Sequence, residues 1–274
     1  MASKMKQTQI SLLQMDVEFG KKEINFSKAE LFIAKAISQA SQGIPHIICL
    51  PELFTTGYDL SNTKIHAEKI PEGQTTRFLK QKATEYSITI IASFIERKDN
   101  NYYNTAVVVN EKGELLGKYQ KIHLFSLDPM NETRTFTPGG FQNSNTVFKL
   151  KHVNLSVLIC YDLRFPEISR KITLDGAELL IYLAEFPNPR SRIWSRLLEA
   201  RAIENQIFVC GTNRVGKDPE LTFFGKSVIY TPVGNVLIEG TEKEEVITVE
   251  LDPVMLRDAR SFLPSLEHRK PEYY

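Results

Sequence analysis

The sequence predicts an α/β protein in which mixed β-sheets are covered by helices. Apolar, β-branched strands alternate with helices along most of the chain. Two segments predict hairpins, which a purely parallel, doubly wound fold lacks. The chain has 274 residues, of which 42% are hydrophobic and 24% charged, as in an ordinary globular protein. No repeat, low-complexity tract or linker interrupts it, so we expect one domain over residues 1–274.

The N-terminal half predicts two helices among five strands. Apolar residues recur at helical spacing over 23–40 until Gly43, and a second helix over 72–86 follows Pro71. Alternating or β-branched runs predict strands at 6–13, 46–50, 88–94, 102–109 and 114–119. The last two strands form a predicted hairpin. Residues 120–145 then form a long connection, and a connection of that length inside a compact domain is usually functional.

The C-terminal half begins with a predicted core strand at 153–159. This run is apolar and rich in β-branched residues, which indicates burial on both faces. The helix Pro166–Leu174 follows it, with proline in its first turn. Further helices are expected at 190–205 and 253–260, and further strands at 177–183, 207–211, 225–230, 236–239 and 245–251. We expect a tail from about residue 262.

Charge and hydropathy exclude several classes of protein. The formal net charge is +1 and no basic block stands out, which argues against a nucleic-acid partner. No apolar run reaches 18 residues, so we expect no membrane-spanning helix, and the N-terminus lacks the apolar region of a secretory signal. Cys49, Cys160 and Cys210 lack metal-type spacing, which predicts free thiols in a reducing, cytoplasmic setting.

Cys160 is the candidate nucleophile. It ends the predicted core strand, and the sequence then turns through Tyr161 and Asp162 into a helix. A strand-to-helix corner exposes a side chain and directs free backbone N–H groups to the same place, as a nucleophile and its oxyanion hole require. Arg164 brings positive charge that favours a thiolate. The alternative is a thiol that only packs in the core, the interpretation that we give to the other two cysteines.

Three charged residues are further candidates. Glu52 follows the strand at 46–50, next to apolar residues, where desolvation raises a carboxyl pKa towards that of a general base. Lys121 stands where the strand at 114–119 gives way to the long connection, and Glu132 lies within that connection. Each has an ordinary alternative, since charged residues at strand ends and in loops mostly face solvent.

Five stretches in this order carry a resemblance to a known family. They are LPELFTTGYD around Glu52, GKYQKIHLF around Lys121, LICYDLRFPE around Cys160, RLLEARAIENQIFVCGTN at 196–213 and the GKSVIYTPVGNVL segment. Together they resemble the nitrilase superfamily of carbon–nitrogen hydrolases over roughly residues 6–262, and most closely its Nit2-type branch, the ω-amidases.

The resemblance implies a catalytic Glu–Lys–Cys triad, which falls on Glu52, Lys121 and Cys160, with Glu132 as the second glutamate. It also implies a four-layer α-β-β-α sandwich and a homodimer in which helices such as Pro166–Leu174 and 190–205 meet their symmetry mates. No metal or organic cofactor is implied.

The implied activity is hydrolysis of the terminal amide of a small carboxylic acid, such as 2-oxoglutaramate or 2-oxosuccinamate, through a thioester. The backbone N–H of Tyr161 would then share the oxyanion with Lys121, and Arg164 or Arg190 would pair with the substrate carboxylate. Arg164 could equally pair with Asp162 or with a carboxylate of the following helix. The expected aromatic walls of the pocket, which could equally belong to the core, are Phe125, Tyr58 and Phe186.

Two other functions remain open at this point. A nitrilase, or an amidase for aliphatic or N-carbamoyl amides, would use the same triad. A non-enzymatic dimeric interaction module would keep the fold, but the presence of all three triad residues weighs against it.

Overall fold

The computed structural model describes residues 4–140 and 146–273. Within these residues, two six-stranded mixed sheets and a separate two-stranded hairpin account for the strands. The first sheet has the order β14-β1-β2-β3-β4-β5, formed by Glu245–Leu251, Thr8–Gln14, His46–Cys49, Thr89–Lys98, Asn101–Val109 and Leu115–Gln120. Strands β1, β2 and β3 are parallel, while β14, β4 and β5 extend the sheet with antiparallel pairs.

The second sheet repeats this arrangement around a parallel centre. Its order is β13-β12-β9-β8-β7-β6, formed by Val236–Glu239, Val228–Tyr230, Phe208–Asn213, Leu179–Ala184, Asn154–Ile159 and Phe148–Lys149. Strands β7, β8 and β9 are parallel, and the remaining pairs are antiparallel. The separate hairpin consists of β10 (Val215–Lys217) and β11 (Thr222–Phe224).

Helices form the two outer layers. They are α1 (Lys22–Ser38), the short α2 (Thr63–His66), α3 (Gln74–Tyr86), α4 (Pro166–Leu174), α5 (Ser191–Asn205) and α6 (Pro253–Phe262). Successive residues of β2 show the layering, because Ile47 and Cys49 pack into the core between the sheets while Ile48 packs under α1 and α3. On the other side, α4 and α5 pack on the second sheet. The predicted mixed sheets and the four-layer sandwich are therefore confirmed.

The predicted elements are present, with shifted ends. Helix α1 ends at Ser38 instead of residue 40, and the core strand β7 is buried along nearly all its length as expected. The strands β6, β10 and β11 were not predicted, because two or three residues are too few to show a period. Within the described residues no helix is long and apolar enough to span a membrane.

The long connection and the tail are more ordered than the sequence predicted. Gln120 still belongs to β5, and a 3₁₀ turn, Glu132–Arg134, lies inside the connection. Residues 141–145 of the predicted connection lie outside the described residues. After α6 the tail is held by Gln206, whose side chain bonds the Leu263 carbonyl oxygen at 2.7 Å and the Ser265 hydroxyl at 2.9 Å.

Candidate active site

The candidate residues meet at one edge of the sandwich because each follows the end of a strand. Cys160 comes directly after β7, Lys121 directly after β5, and Glu52 three residues after β2. Strands β2 and β5 run in the same direction within one sheet, so their carboxyl ends deliver Glu52 and Lys121 to the same edge, and β7 of the facing sheet ends beside them. Glu132 comes from the loop after β5, and it closes the group from the side.

The backbone turns sharply at the thiol. Cys160 has φ 43°, a left-handed conformation that L-residues rarely adopt, and begins the 3₁₀ turn Cys160–Arg164. The buried carboxylate of Asp162 holds this turn by accepting hydrogen bonds from the Ile159 N–H at 3.0 Å and the Tyr119 hydroxyl at 2.8 Å. It also accepts from His123, through the backbone N–H at 3.1 Å and from Nδ1 at 2.7 Å. The position of the sulfur is thus fixed by a fully bonded turn.

A buried ammonium joins two buried carboxylates next to this thiol. Nζ of Lys121 lies 2.8 Å from Oε1 of Glu52 and 2.7 Å from Oε2 of Glu132. It also donates to the hydroxyl of Tyr58 at 3.4 Å. Glu52, Lys121 and Glu132 are fully or almost fully buried, and Tyr58 and Cys160 are buried beside them, at 6% and 7% exposure.

Burial and charge act in opposite directions on these groups. Burial alone would lower the pKa of Lys121, but the charges of Glu132 and Glu52 raise it above its usual value, so the ammonium stays charged. Burial raises the pKa of Glu132, against the effect of Lys121. Burial also raises the pKa of the Cys160 thiol well above its usual value; the charge of Glu52 acts the same way and Lys121 opposes it. Burial and the charge of Glu52 thus favour the neutral form of the thiol.

Two residues outside the predicted set position the carboxylates. The Asn104 side-chain amide donates to Oε1 of Glu52 at 2.7 Å and to Oε1 of Glu132 at 3.1 Å. The backbone N–H of Glu185 donates to Oε2 of Glu52 at 2.9 Å. The available signal for Asn104 was a polar residue inside the apolar strand NTAVVV, since a buried polar side chain in a strand needs a partner.

Glu185 belongs to a second buried charge cluster behind the first. Arg214 donates to its carboxylate at 3.1 Å, to Asp218 at 2.8 Å and to Asp16 at 3.1 Å. Asp16 follows β1 of the first sheet, while Arg214 follows β9 of the second. The cluster therefore ties the two sheets together beside Glu52.

The thiol opens into a small cavity of about 20 Å³. All six predicted substrate-binding residues line it, together with Cys160, Met130 and Pro187; the six are Tyr58, Phe125, Tyr161, Arg164, Phe186 and Arg190. A second cavity of about 150 Å³ shares Tyr58 and Met130 with the first.

The predicted wall residues differ in what they contact. The guanidinium of Arg190 lies 5.2 Å from the ring centre of Phe125, which meets Tyr161 edge-on at 5.2 Å. Phe186 is both a wall of the cavity and a core residue, the two alternatives predicted for it. It lines the cavity, and its ring centre lies 5.4 Å from that of Trp194 in the core. Arg164 is exposed at the cavity.

The alternative pairing of Arg164 with Asp162 does not match the hydrogen bonds of the turn. The carboxylate oxygens of Asp162 are occupied by Ile159, Tyr119 and His123. All three cysteines are free, as predicted. Within residues 4–140 and 146–273, no group of three or more His, Cys, Asp and Glu side chains is arranged to hold a metal ion.

Comparison with known proteins decides the family. The carbon–nitrogen hydrolase family model matches residues 9–261, which is most of the chain. The chain belongs to the carbon–nitrogen hydrolase family. The resemblance seen in the sequence is thereby confirmed, and so is the expectation of an enzyme that hydrolyses carbon–nitrogen bonds other than peptide bonds.

Relatives of this carbon–nitrogen hydrolase extend over its whole fold. It is 39% identical to the 2-oxoglutaramate amidase of Bacillus subtilis (strain 168), over 97% of this chain and 98% of that protein. It is 33% identical to omega-amidase NIT2 of Xenopus tropicalis, over 98% of both chains. The crystal structure of Saccharomyces cerevisiae Nit3, a member of the nitrilase superfamily, superimposes with a TM-score of 0.89 at 26% identity, over 100% of this chain and 99% of that one.

Proposed function

We propose that this carbon–nitrogen hydrolase is a cysteine-dependent amidase that releases ammonia from the terminal amide of a small carboxylic acid. The observation that carries the proposal is the buried cluster of Glu52, Lys121 and Glu132 beside the strand-end thiol of Cys160. A thiol, a carboxylate and an ammonium around one small cavity are the parts that covalent amide hydrolysis needs.

In the first half of the reaction, Glu52 removes the proton of the Cys160 thiol while the sulfur attacks the amide carbonyl carbon. The negative charge that develops on the carbonyl oxygen is stabilised by Lys121 and the backbone N–H of Tyr161. Glu52 then returns the proton to the nitrogen as the carbon–nitrogen bond breaks. Ammonia leaves, and a thioester remains on Cys160.

In the second half, water replaces ammonia. Glu52 takes a proton from the water molecule while the water oxygen attacks the thioester carbon. Collapse of the tetrahedral intermediate breaks the carbon–sulfur bond, and the proton held by Glu52 returns to the sulfur. The product is a carboxylic acid, and the enzyme is regenerated.

The contacts of Lys121 support its role with the oxyanion. Its three N–H groups have three partners, but the contact with Tyr58 is 3.4 Å long while those with the two carboxylates are 2.7 and 2.8 Å. The contact with Tyr58 is thus the weakest, and a developing oxyanion can replace it while both ion pairs persist.

The residues of the cavity support a small substrate that carries a carboxylate. Two arginine side chains, of Arg164 and Arg190, line the cavity beside the thiol. Two relatives carry the names 2-oxoglutaramate amidase and omega-amidase. We infer that 2-oxoglutaramate and 2-oxosuccinamate are the substrates to test first, with Arg164 pairing with the carboxylate and Arg190 behind it.

A substrate panel separates this proposal from the alternatives. Ammonia release is measured with 2-oxoglutaramate, 2-oxosuccinamate, glutamine, simple aliphatic and N-carbamoyl amides, and nitriles. Preference for the 2-oxo acid amides supports the ω-amidase. Higher kcat/KM for nitriles or for uncharged amides would instead make the protein a nitrilase or an aliphatic amidase.

The role of the thiol is tested by replacing each of two buried cysteines. Cys160→Ala and Cys160→Ser should abolish ammonia release, because no other group forms the thioester. Cys210→Ala removes a fully buried thiol from the middle of β9 and should retain activity. Undiminished turnover by Cys160→Ala would refute the assignment. Absence of turnover by the wild-type protein on every substrate of the panel would also refute it and would indicate a non-enzymatic module.

We also infer a homodimer, one domain and a cytoplasmic location. Ile193 and Ile203 are exposed on α5, and the turn at Gly234, between the exposed Val233 and Val236, packs beside Ile203, which makes an apolar surface on one outer layer. The three free cysteines suit a reducing compartment. We place the single domain at residues 1–274, with a C-terminal tail from about 262.

A further inference from the structure

We propose that Asn104, oriented by Ser93, is a positioning residue that keeps Glu52 and Glu132 as hydrogen-bond acceptors and directs the proton of Cys160 to Oε2 of Glu52. The inference rests on the proposed function, in which Glu52 is the base. It adds the group that orients the base and the oxygen atom that receives the proton.

The direction of the hydrogen bonds fixes the Asn104 side chain. The backbone N–H of Leu53 can only donate, and it donates to Oγ of Ser93 at 3.1 Å. The Ser93 hydroxyl proton then points to Oδ1 of Asn104 at 2.8 Å. The oxygen of the Asn104 amide therefore faces Ser93, and its NH₂ group faces the two glutamates. Leu53 is the residue after Glu52, so the backbone that carries the base also sets this chain of bonds.

The NH₂ group of Asn104 has two protons and two carboxylate partners. One proton goes to Oε1 of Glu52 at 2.7 Å and the other to Oε1 of Glu132 at 3.1 Å. Each of these oxygens must accept, so neither can carry a proton towards Asn104. Asn104 thus offsets part of the repulsion between two carboxylates that share the ammonium of Lys121.

The two oxygens of Glu52 are then unequal. Oε1 accepts from three donors, which are Tyr58 at 2.8 Å, Asn104 at 2.7 Å and Lys121 at 2.8 Å. Oε2 accepts a hydrogen bond from the backbone N–H of Glu185 at 2.9 Å, and the Cys160 thiol lies within hydrogen-bonding reach of the Glu52 carboxylate. A carboxylate oxygen has two lone pairs in its plane, so Oε1 has no room for a proton while Oε2 has one lone pair free. The proton of the thiol therefore goes to Oε2.

Two substitutions and a matched control test this arrangement. Asn104→Asp replaces the donor with a third carboxylate, and Ser93→Ala removes the group that orients the amide. Ser11→Ala is the control, because Ser11 is an equally buried serine in β1 of the same sheet, bonded to His46 and Thr248 at 2.7 Å. Folding is checked by far-ultraviolet circular dichroism, and kcat/KM for the best amide substrate is measured against pH.

Both substitutions should lower the rate and move the acid limb of the pH profile. We expect a loss of about a hundredfold for Asn104→Asp and about tenfold for Ser93→Ala. Negative charge added near a carboxyl group, or a donor removed from it, favours its protonated form, so the acid limb should move to higher pH, by about one unit for Asn104→Asp. The charged and titratable groups that face Glu52 are unchanged; they are Lys121, Glu132, Cys160, Tyr58 and Glu185.

The position of the acid limb decides between positioning and a merely structural role. If it stays at the wild-type pH in both variants, the inference is overturned even where the rate falls, because loss of packing lowers the rate without moving the limb. If Asn104→Asp does not fold, Ser93→Ala compared with Ser11→Ala decides alone. Cys160→Ala separates the two proposals. Full activity of Cys160→Ala overturns the proposed function. If Cys160→Ala is inactive but the acid limbs of Asn104→Asp and Ser93→Ala stay at the wild-type pH, only this inference is overturned.

Discussion

Lys121 places its ammonium between two buried carboxylates, and the balance of charge in the site depends on it. Nζ lies within 2.8 Å of both Glu52 and Glu132, at a depth where an unpaired carboxylate is strongly disfavoured. The charges of the two glutamates keep the pKa of Lys121 above its usual value. In the proposed mechanism the same cation is a structural counter-ion at rest and an electrostatic catalyst during the reaction.

We predict that Lys121→Met lowers kcat by about a hundred- to a thousandfold, the usual effect of removing one oxyanion donor. It should also lower the free energy of unfolding by about 3–5 kcal/mol, because two buried carboxylates lose their cation. Lys112→Met, in the exposed turn between β4 and β5, is the control. Kinetics and urea unfolding measure both effects, and a Lys121→Met enzyme with wild-type kcat would remove Lys121 from the mechanism.

His46 is a buried imidazole at the opposite end of β2 from Glu52. Its Nε2 bonds Oγ of Ser11 at 2.7 Å, and burial lowers its pKa from 6.5 to about 4. Below pH 6.5 the unfolded chain binds a proton at His46 that the folded protein does not bind. The stabilisation from this residue is thus complete above pH 6.5, and it is lost as the pH falls towards 4.

We predict that the free energy of unfolding falls by about 3 kcal/mol between pH 6.5 and 4 because of His46. In His46→Gln this contribution should disappear, so its unfolding free energy should depend less on pH over this range. His268→Gln, which changes an exposed histidine of the tail, should follow the wild-type curve. Urea unfolding at several pH values measures this, and parallel curves for His46→Gln and the wild type would contradict it.

At the scale of elements, the loop after β5 explains how Glu132 reaches the site. The backbone N–H of Glu132 donates to the Phe125 carbonyl oxygen at 2.8 Å, and the Phe125 N–H donates back to Oε2 of Glu132 at 2.8 Å. These reciprocal bonds close the loop on itself and point the carboxylate inwards. A residue that looks like part of a solvated stretch in the sequence becomes fully buried through the folding of its own loop.

The contact between α5 and β9 depends on a glycine. A Cβ atom on Gly211 would lie 2.4 Å from the Trp194 side chain and 2.6 Å from Leu198, and both residues are buried on α5. The indole N–H of Trp194 is also bonded to the Lys226 carbonyl oxygen at 3.0 Å. The tryptophan therefore cannot move away without losing that hydrogen bond.

We predict that Gly211→Ala destabilises the protein by about 1–3 kcal/mol through overpacking of this contact. Gly140→Ala is the control, because no described atom lies within 4 Å of the added methyl group. Urea unfolding at neutral pH compares the two variants. Equal midpoints for both would mean that α5 shifts away from β9 without loss.

At the scale of the whole molecule, the two outer helical layers differ in function under the proposed homodimer. Ile193 on α5 is 40% exposed and Leu31 on α1 is 70% exposed. With α5 at the interface, Ile193 becomes buried on dimerisation and stabilises the dimer. Leu31 does not contribute to the dimer, although it is the more exposed residue in the single chain.

We predict that Ile193→Asp gives a monomer, because an unpaired carboxylate would be buried at the interface. Leu31→Asp should remain a dimer. Light scattering coupled to size-exclusion chromatography measures the mass of each. A dimeric Ile193→Asp, or a monomeric wild type, would exclude α5 as the dimer interface.

The sequence by itself determined most of the local structure and indicated which residues could take part in catalysis. Strand and helix periods depend on neighbouring residues, so the mixed sheets and the long helices could be predicted. The thiol, Glu52 and Lys121 could be singled out because each stands at the end of a predicted strand. Their proximity could be inferred only from the family resemblance.

The tertiary structure alone decided how these groups are held. Asn104 contacts Glu52 and Glu132 across 52 and 28 residues of chain, and Glu185 contacts Glu52 across 133. No local pattern encodes such contacts, because those of Asn104 join separate elements of the first sheet and that of Glu185 arises only when the two sheets pack face to face. The same packing makes the charges matter, since it removes the water that would otherwise screen them.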